Sequence, residues 1–270
     1  MRLRSPLAAV PLIALAALLG AMLVAGLQPG ARAGTVIRPL PAGTRFDYQL
    51  GGVRSVPAGV GIVVRDRTAQ PLAGHYNVCY VNGFQTQVDQ RRFWRKRMGL
   101  VLQRHAHPVT DTAWGEWLLD IGTAAKRTRL ARIVGRWTDG CARHGFDAVE
   151  FDNLDSFTRS HGLLTRADAT RFARLLVRGA HRAGLAVGQK NLADFDGRTV
   201  GYDFAIAEEC GRYHECGDYR AHYGGAVLAV EYRARDLAAD CRRYGTSLDV
   251  VLRDRDLAPD GVRRWCPTAG

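Results

Sequence analysis

The chain has 270 residues, 47% of them hydrophobic, so it can bury a large core and is within the size of one barrel-sized domain. Its formal charge of +12 raises the question of an anionic partner. The arginines, however, lie in helix-like segments such as 126–136 and 166–182, where a solvated helix face accounts for them. Because no recognised nucleic-acid motif is present, we expect no nucleic-acid partner.

The first 33 residues have the plan of a secretory signal peptide. Arg2 and Arg4 precede an uncharged, Leu- and Ala-rich run at 6–27, and residues 31–33 (ARA) offer a small-x-small cleavage site. The run is long for a signal core, so an uncleaved membrane anchor is the alternative. We therefore predict a secreted protein whose only membrane contact would be this segment, followed by a linker at 34–45 and one domain at 46–270. A chain cut after Ala33 would carry a charge of +9, because three arginines are removed.

Six cysteines are consistent with export, since an even number outside the cytosol suggests disulfides. No C-x-x-C pair and no His-rich spacing occurs, so we predict no metal site and no cofactor. Six cysteines allow fifteen pairings. We predict Cys210 with Cys216 as a local loop link and Cys241 with Cys266 near the C-terminus, which leaves Cys79 with Cys141.

Strand and helix patterns alternate along the rest of the chain. Helical spacing of Leu, Ile, Val and Phe marks 127–144 and 167–183, and Gly145 and Gly184 follow as stop signals. The third strand is the weakest, because 100–103 competes for it. Eight strands that alternate with helices predict a single-domain α/β fold, a (β/α)8 TIM barrel. The predicted strands are 60–64, 76–81, 117–121, 148–151, 185–189, 204–207, 227–230 and 248–252.

Polar residues gather at the carboxyl ends of these strands, which is where barrel enzymes build their active sites. For any one position, the alternative explanation is that the polar residue only marks the start of a solvent-exposed loop. The densest end is residues 147–155 (DAVEFDNLD), and residues 202–209 (YDFAIAEE) form a second apolar run that ends in acids. Carboxylates aimed from rigid strand ends are what cleavage of a glycosidic bond requires. We expect the two ends to share one site.

A series of ordered motifs runs from Phe46 to Cys266. They are residues 46–52 (FDYQLGG), 79–82 (CYVN), 117–121 (WLLDI), 145–155 (GFDAVEFDNLD), 188–191 (GQKN) and 208–210 (EEC). In these motifs the chain resembles glycoside hydrolase family 114, the endo-α-1,4-polygalactosaminidase-like TIM-barrel proteins. The resemblance implies an endo-hydrolase of polymers that contain α-1,4-linked galactosamine or N-acetylgalactosamine. It also implies a catalytic pair, an Asp after the fourth strand and a Glu after the sixth, which here are Asp152 and Glu208.

Residue chemistry permits a two-carboxylate mechanism with Asp152 as nucleophile and Glu208 as acid and base. The alternation of side chains along a strand conflicts with this choice of acid. Small residues suit the barrel interior, so Ala205 and Ala207 would face inward and Glu209, rather than Glu208, would then point toward the axis. We follow the family position, Glu208, and expect Glu209 to lie close by. Glu150 shares parity with Asp152 and is predicted to be buried deeper, as an ion-pair partner of Lys190.

The other candidate substrate contacts are polar or aromatic groups at strand ends. Each has a structural alternative: loop capping for the aspartates, charge neutralisation of buried acids for the lysine, and ordinary packing for the tyrosines. An acidic cleft would let a basic protein accept a cationic polymer. We expect a monomer with a polysaccharide substrate; a catalytically silent carbohydrate-binding barrel is the alternative. The candidates are Asp66, Tyr80, Asp120, Asn153, Lys190, Asn191, Glu209 and Tyr232.

A short repeat relates two strand ends. Residues 63–67 (VVRDR) resemble 251–255 (VLRDR), and the predicted strands there are the first and the eighth. Such strands are neighbours when a barrel closes, so adjacent Arg-Asp pairs would cross-link the seam. Chance similarity of short β patterns is the alternative.

Overall fold

The computed structural model describes residues 36–267. Eight parallel strands form one sheet in the order of the chain: β1 (Arg45–Gln49), β2 (Val60–Asp66), β3 (Tyr76–Asn82), β4 (Ala148–Asp152), β5 (Ala186–Lys190), β6 (Phe204–Glu208), β7 (Val227–Glu231) and β8 (Asp249–Arg253). A ninth strand, β9 (Arg263–Trp265), pairs antiparallel with β8. The helices are α1 (Arg91–Arg95), α2 (Ala124–His144), α3 (Arg166–Arg182), α4 (Cys210–Tyr213), α5 (Cys216–Tyr223) and α6 (Ala234–Tyr244).

The sheet is nearly closed into a barrel, because β1 lies beside β8. Asp47 in β1 forms ion pairs with Arg253 of β8 at 3.6 Å and with Arg263 of β9 at 2.5 Å. The indole nitrogen of Trp265 donates to the carbonyl of Phe46 at 2.6 Å, which ties β9 to the same seam. The predicted (β/α)8 barrel is therefore confirmed.

One predicted strand is wrong. Residues 117–121 do not enter the barrel: Glu116–Trp117 pairs with Thr110–Asp111 in a small separate hairpin, and Leu118 and Leu119 form isolated bridges. The missing eighth strand is Arg45–Gln49, whose buried Asp47 and Gln49 hide its apolar pattern. A short buried apolar run does not by itself distinguish a barrel strand from a packed loop.

The predicted seam between the two VVRDR-like segments is wrong for the same reason. Because β1 precedes β2, residues 60–66 form the second strand and β1 lies between the two repeats. Arg65 instead donates to Gln49 of β1 at 3.0 Å, and Arg253 pairs with Asp47 of β1. Each arginine thus contacts β1 from one side.

Both predicted long helices are confirmed, and their ends follow from their capping residues. Thr123 caps α2 by accepting from the amide of Lys126, and Gly145 ends it in a left-handed conformation with φ 92°. Thr165 and Asp168 form a reciprocal capping box at the start of α3. The apolar faces of these helices pack outside the sheet, against the outward residues of the strands. The barrel therefore has two apolar layers, one inside the sheet and one beneath the helices.

Three disulfides link the described residues, in the predicted pairs Cys79–Cys141, Cys210–Cys216 and Cys241–Cys266. The first joins β3 to α2, and the third joins α6 to the residue after β9. Among residues 36–267, no helix is long and apolar enough to cross a membrane. The predicted signal segment at 1–33 lies outside the described residues.

Candidate active site

A cavity of about 510 Å3 opens at the carboxyl ends of the barrel strands. Seven carboxylates line it, against three basic side chains, so its wall is acidic although the chain as a whole is basic. The carboxylates are Asp66, Asp111, Glu116, Asp152, Asp155, Glu208 and Asp256; the basic residues are Arg159, Lys190 and Arg255. Tyr80, Trp114 and Tyr232 add aromatic surface.

Lys190, the last residue of β5, lies at the centre of a charged cluster at the floor of the cavity. Its ammonium nitrogen is 2.9 Å from Glu150 Oε1, 3.3 Å from Asp152 Oδ1 and 3.4 Å from Glu208 Oε2. The Tyr48 hydroxyl accepts from it at 3.0 Å. These five side chains are called the Lys190 cluster below. Although burial opposes its charge, the three carboxylates raise the pKa of Lys190 well above its ordinary value.

Glu150 is the deepest member of this cluster and is fully buried, and its predicted pairing with Lys190 is confirmed. Its Oε1 also accepts from Tyr48 at 2.7 Å, whereas its Oε2 has no partner among the described residues. Burial raises the pKa of Glu150 to about 7 against the attraction of Lys190. The ammonium is shared by three carboxylates, so it does not offset the full desolvation of this one.

Asp152, the last residue of β4, is held by contacts to both carboxylate oxygens. The Tyr80 hydroxyl donates to Oδ2 at 2.7 Å, and the backbone amide of Asn153 donates to Oδ1 at 2.7 Å. Burial raises the pKa of Tyr80 well above its ordinary value, so the hydroxyl stays a donor. Asn153 has a left-handed backbone, φ 69°, which asparagine adopts more readily than most residues. Asp152 is therefore oriented toward the cavity.

Glu208 ends β6 and points into the cavity, where Tyr232 donates to its Oε1. The side-chain oxygen of Asn191 accepts from its backbone amide at 2.9 Å. The expectation that Ala205 and Ala207 face the axis is wrong: Phe204 and Ile206 fill the interior, and alternation then turns Glu208 inward.

A glycine on β5 makes room for the two large interior residues of β6. A Cβ at Gly188 would meet the Phe204 ring at 2.7 Å and Ile206 at 3.1 Å. Only glycine permits this close approach without displacement of its neighbours. At this level of the barrel interior, the small residue is therefore on β5, and the large residues are on β6.

Glu209 turns away from the cavity. Its backbone is left-handed, φ 56°, and its carboxylate pairs with Arg212 and Arg255, each at 2.7 Å. Burial opposes its charge, but the hydrogen bonds from the two guanidinium groups lower the pKa of Glu209 below its ordinary value. It is a structural anion beside the site.

A hairpin between β3 and α2 supplies one wall that the sequence did not indicate. Glu116 is on this hairpin, and its Oε2 accepts from the side-chain amides of Asn82 at 2.8 Å and Asn153 at 3.4 Å. Burial raises the pKa of Glu116 to about 7. Trp114, 59% exposed, lies at the rim of the cavity. The available signals were the length of the segment between β3 and α2 and the presence in it of three of the five tryptophans of the chain. Long segments after barrel strands are where barrel enzymes place substrate contacts.

The structure brings most of the predicted site residues together. The two that lie elsewhere among the described residues are Asp120, which pairs with Lys126 at the start of α2, and Glu209. Asp66 lines the cavity and also caps its own loop through Thr68, so both of its alternatives are present. The predicted residues that line the cavity are Asp66, Tyr80, Asp152, Asn153, Lys190, Asn191, Glu208 and Tyr232.

One further cluster has the residue types of a metal site. The ligand atoms of Cys210, Cys216, Glu231 and Asp240 lie within 4.8 Å of one another. Both cysteines are joined in a disulfide, so neither offers a thiolate, which is the form of cysteine that binds metals. The buried carboxylates of Glu231 and Asp240 therefore form a pair of acids beside a disulfide.

Two carboxylates at the carboxyl end of a TIM barrel are the arrangement that most glycoside hydrolases use. The model of glycoside-hydrolase family GH114 matches residues 27–269, and the chain belongs to this family. It is a glycoside hydrolase. A search of the curated proteins finds no match.

Solved structures share the fold. The chain is similar to Aspergillus fumigatus Ega3, crystallised in complex with galactosamine, with a TM-score of 0.67 and 22% identity over 86% of this chain and 100% of that one. It is also similar to the glycoside hydrolase domain of PelA from Pseudomonas aeruginosa, with a TM-score of 0.57 and 17% identity over 81% of this chain and 96% of that one. At these identities the likeness establishes the barrel.

Proposed function

We propose that the protein is a secreted endo-glycosidase that hydrolyses polysaccharides containing α-1,4-linked galactosamine or N-acetylgalactosamine, with Asp152 as nucleophile and Glu208 as acid and base. One observation carries the proposal: the carboxylates of Asp152 and Glu208 face the same cavity around one ammonium group, that of Lys190. Both come from the ends of rigid strands, as catalytic groups of a barrel do.

The separation of the two carboxylates supports a retaining mechanism. Asp152 Oδ1 and Glu208 Oε2 lie 3.3 and 3.4 Å from the same nitrogen, so the distance between them cannot exceed the sum of these two. Retaining enzymes place their carboxyl groups about 5 to 5.5 Å apart, and inverting enzymes about 6.5 to 9.5 Å apart. The bound applies to these two oxygens, and two carboxylates held on one ammonium group favour the shorter, retaining separation.

The chemistry of each residue follows from its contacts. Asp152 attacks the anomeric carbon, and Lys190 and Tyr80 orient its carboxylate and stabilise its negative charge. Glu208 gives its proton to the departing glycosidic oxygen, then accepts a proton from the water that hydrolyses the glycosyl-enzyme. Tyr232 holds the Glu208 carboxyl in place during both steps.

A cationic substrate fits the charge of the cavity. Ega3, which shares this fold, was crystallised with galactosamine, a sugar with a free amine. The seven carboxylates of the cavity would attract an ammonium-bearing polymer, although the protein as a whole carries net positive charge. The acidic wall therefore supports a galactosamine-containing substrate.

Secretion is supported by the signal-like segment and by three disulfides, since disulfides persist outside the cytosol. An uncleaved segment would leave the same enzyme anchored to the membrane. We propose that the protein acts as a monomer on extracellular polymer.

The decisive experiment measures reducing ends released from galactosamine-containing polymer by residues 34–270. The wild type is expected to release oligomers of intermediate length, as an endo-enzyme does. Asp152→Asn keeps the shape of the side chain and removes its nucleophilic charge, so release should stop while the melting temperature changes little. Undiminished release by this variant would refute the nucleophile assignment, and binding without release by the wild type would favour a silent carbohydrate-binding barrel.

A further inference from the structure

The outer helices α2 and α3 carry a large surplus of positive charge. With histidines neutral, α2 contains six basic residues and one acidic residue, and α3 contains five and one, so the pair has a net charge of +9. A chain cut after Ala33 has the same net charge, so the rest of such a chain sums to zero. Because the two helices pack against each other, the excess charge lies on one side of the barrel.

Seven arginines of these helices are exposed and form no salt bridge within residues 36–267; the other four basic residues are paired with acids. The spacings between the seven are three, four and seven residues in α2 and four and four in α3, which place each set on one helix face. The row on α2 is about 20 Å long at the rise of an α-helix. The seven are Arg129, Arg132, Arg136 and Arg143 of α2, and Arg174, Arg178 and Arg182 of α3.

A groove of about 560 Å3 lies between the two helices. Arg132 and Arg136 of α2 and Arg182 of α3 line it, and Asp139 is the one acid in its lining. Among the described residues, nothing lies within 4 Å of a Cβ built at Gly135, which also lines the groove. Solvated surfaces usually mix charges of both signs, whereas this one is nearly all positive beside an open groove.

The chemistry of this face favours a single anionic chain. Guanidinium groups bind carboxylates through two parallel hydrogen bonds and are weakly hydrated. Packed helices have axes about 8 to 10 Å apart, so the groove between them suits one extended chain better than a duplex. No large hydrophobic side chain of α2 or α3 is exposed. The face therefore lacks the apolar anchors of membrane-surface helices and the aromatic platforms on which bases stack.

We propose that the arginine rows of α2 and α3, with the groove between them, bind a polysaccharide that carries carboxylate groups. The groove and the acidic cavity have no lining residue in common, so the protein can hold an anionic chain on its side while the cavity stays open. A carboxylate polymer also attracts a cationic polymer. Binding to it would keep the enzyme close to the galactosamine-containing substrate of the proposed function, although the groove itself needs no catalytic activity.

The test measures the affinity of the purified protein for polygalacturonate at several salt concentrations, with neutral galactan as the reference polymer. The groove variant combines Arg132→Gln, Arg136→Gln and Arg182→Gln. We expect its affinity for polygalacturonate to be about tenfold lower than that of the wild type, since three exposed ion pairs are lost together. The slope of log affinity against log salt should become shallower by about two, the value for three contacts to a single-stranded polyanion. Neutral galactan should bind neither protein.

The matched control removes the same charge elsewhere. Arg220→Gln, Arg242→Gln and Arg264→Gln change exposed arginines of α5, α6 and β9 that do not line the groove, and this variant should keep the affinity of the wild type. Asp139→Asn removes the acid of the groove, so its affinity should rise about two- to threefold. Equal losses in the two triple variants would overturn the proposal, because binding would then follow net charge alone.

The remaining outcomes are also decisive. A wild type that does not bind polygalacturonate at low salt would refute the proposal, as would tighter binding to duplex DNA or to phosphatidylglycerol vesicles. Should the groove variant fail to fold, Asp139→Asn decides alone, and an unchanged or lower affinity would overturn the inference. Release of reducing ends from galactosamine oligomers by the groove variant should equal that of the wild type. A wild type that binds polygalacturonate and cleaves no oligomer would uphold this inference and refute the proposed function.

Discussion

Two groups of buried carboxylates lie close together in this barrel, and they are balanced in different ways. In the Lys190 cluster, three carboxylates surround one ammonium group. In the second group, Glu231 and Asp240 lie beside each other at the end of β7; among the described residues neither forms a salt bridge, and the backbone amide of Gly211 donates to Glu231 at 2.8 Å. The first group has a cation beside its carboxylates, whereas the second has none among the described residues.

The protonation of the second group follows from burial. Desolvation raises the pKa of Glu231 to about 8, and it also raises the pKa of Asp240. Both residues are almost completely inaccessible to solvent. Carboxylates of the first group therefore have both a cation and a cavity beside them, as the proposed catalytic role requires, whereas those of the second group have neither among the described residues.

The largest expected effect is a difference in kcat between a variant of the proposed acid, Glu208, and a variant of its neighbour, Glu209. Glu208→Gln cannot donate a proton, so kcat should fall by about 10²- to 10⁴-fold, the range of general acid–base catalysis. Glu209→Gln, one residue along the chain and outside the cavity, should keep kcat close to that of the wild type. Rates of reducing-end release for the two variants measure the difference. The reverse order of loss would assign the acid to Glu209.

Removal of the cation should destabilise the Lys190 cluster. Lys190→Met leaves buried carboxylates without a partner, and we expect the free energy of unfolding to fall by about 3 to 5 kcal/mol. Urea denaturation followed by circular dichroism measures it. The double variant with Glu150→Gln should recover part of the loss, because one uncompensated charge is removed as well. An additive double variant would show that Lys190 and Glu150 do not interact.

Measured per pH unit, the smallest effect is the pH dependence of stability caused by Glu231. Its pKa is about 8 in the folded protein and about 4.3 in an unfolded chain, so the folded state holds the proton more tightly. The stabilisation is complete below about pH 4.3 and is lost as pH rises through 8, with a slope of at most about 1.4 kcal/mol per pH unit. Urea denaturation across pH 5 to 9 should show this slope in the wild type and a flatter profile in Glu231→Gln. Identical profiles would contradict the assignment.

The chain predicts much of the barrel because periodicity and caps are local signals. Apolar runs marked seven of the eight barrel strands, and Gly145 and Gly184 marked the ends of the two long helices. The strand at Arg45–Gln49 was missed because two of its polar residues are buried by partners far along the chain. Asp47, for instance, is paired with Arg253 and Arg263.

The site was predicted in part, and the errors have physical causes. The resemblance to the family led to Glu208, whereas residue size favoured Glu209. The prediction from residue size was wrong because the large side chains of Phe204 and Ile206 fit inside the barrel, where Gly188 on the next strand gives them room. Glu116 was missed because its distance from Asp152 depends on how a hairpin outside the barrel folds back.

The sequence by itself determined the barrel class, the two long helices and the acidic strand ends, because each depends on local patterns. The cysteine pairs were one choice among fifteen, and the structure confirmed it. Only the tertiary structure decided which acids share a cation, which are buried together without one and which face the cavity. Those properties depend on distances between residues up to 142 positions apart, as between Tyr48 and Lys190, and on the water that each group loses on folding.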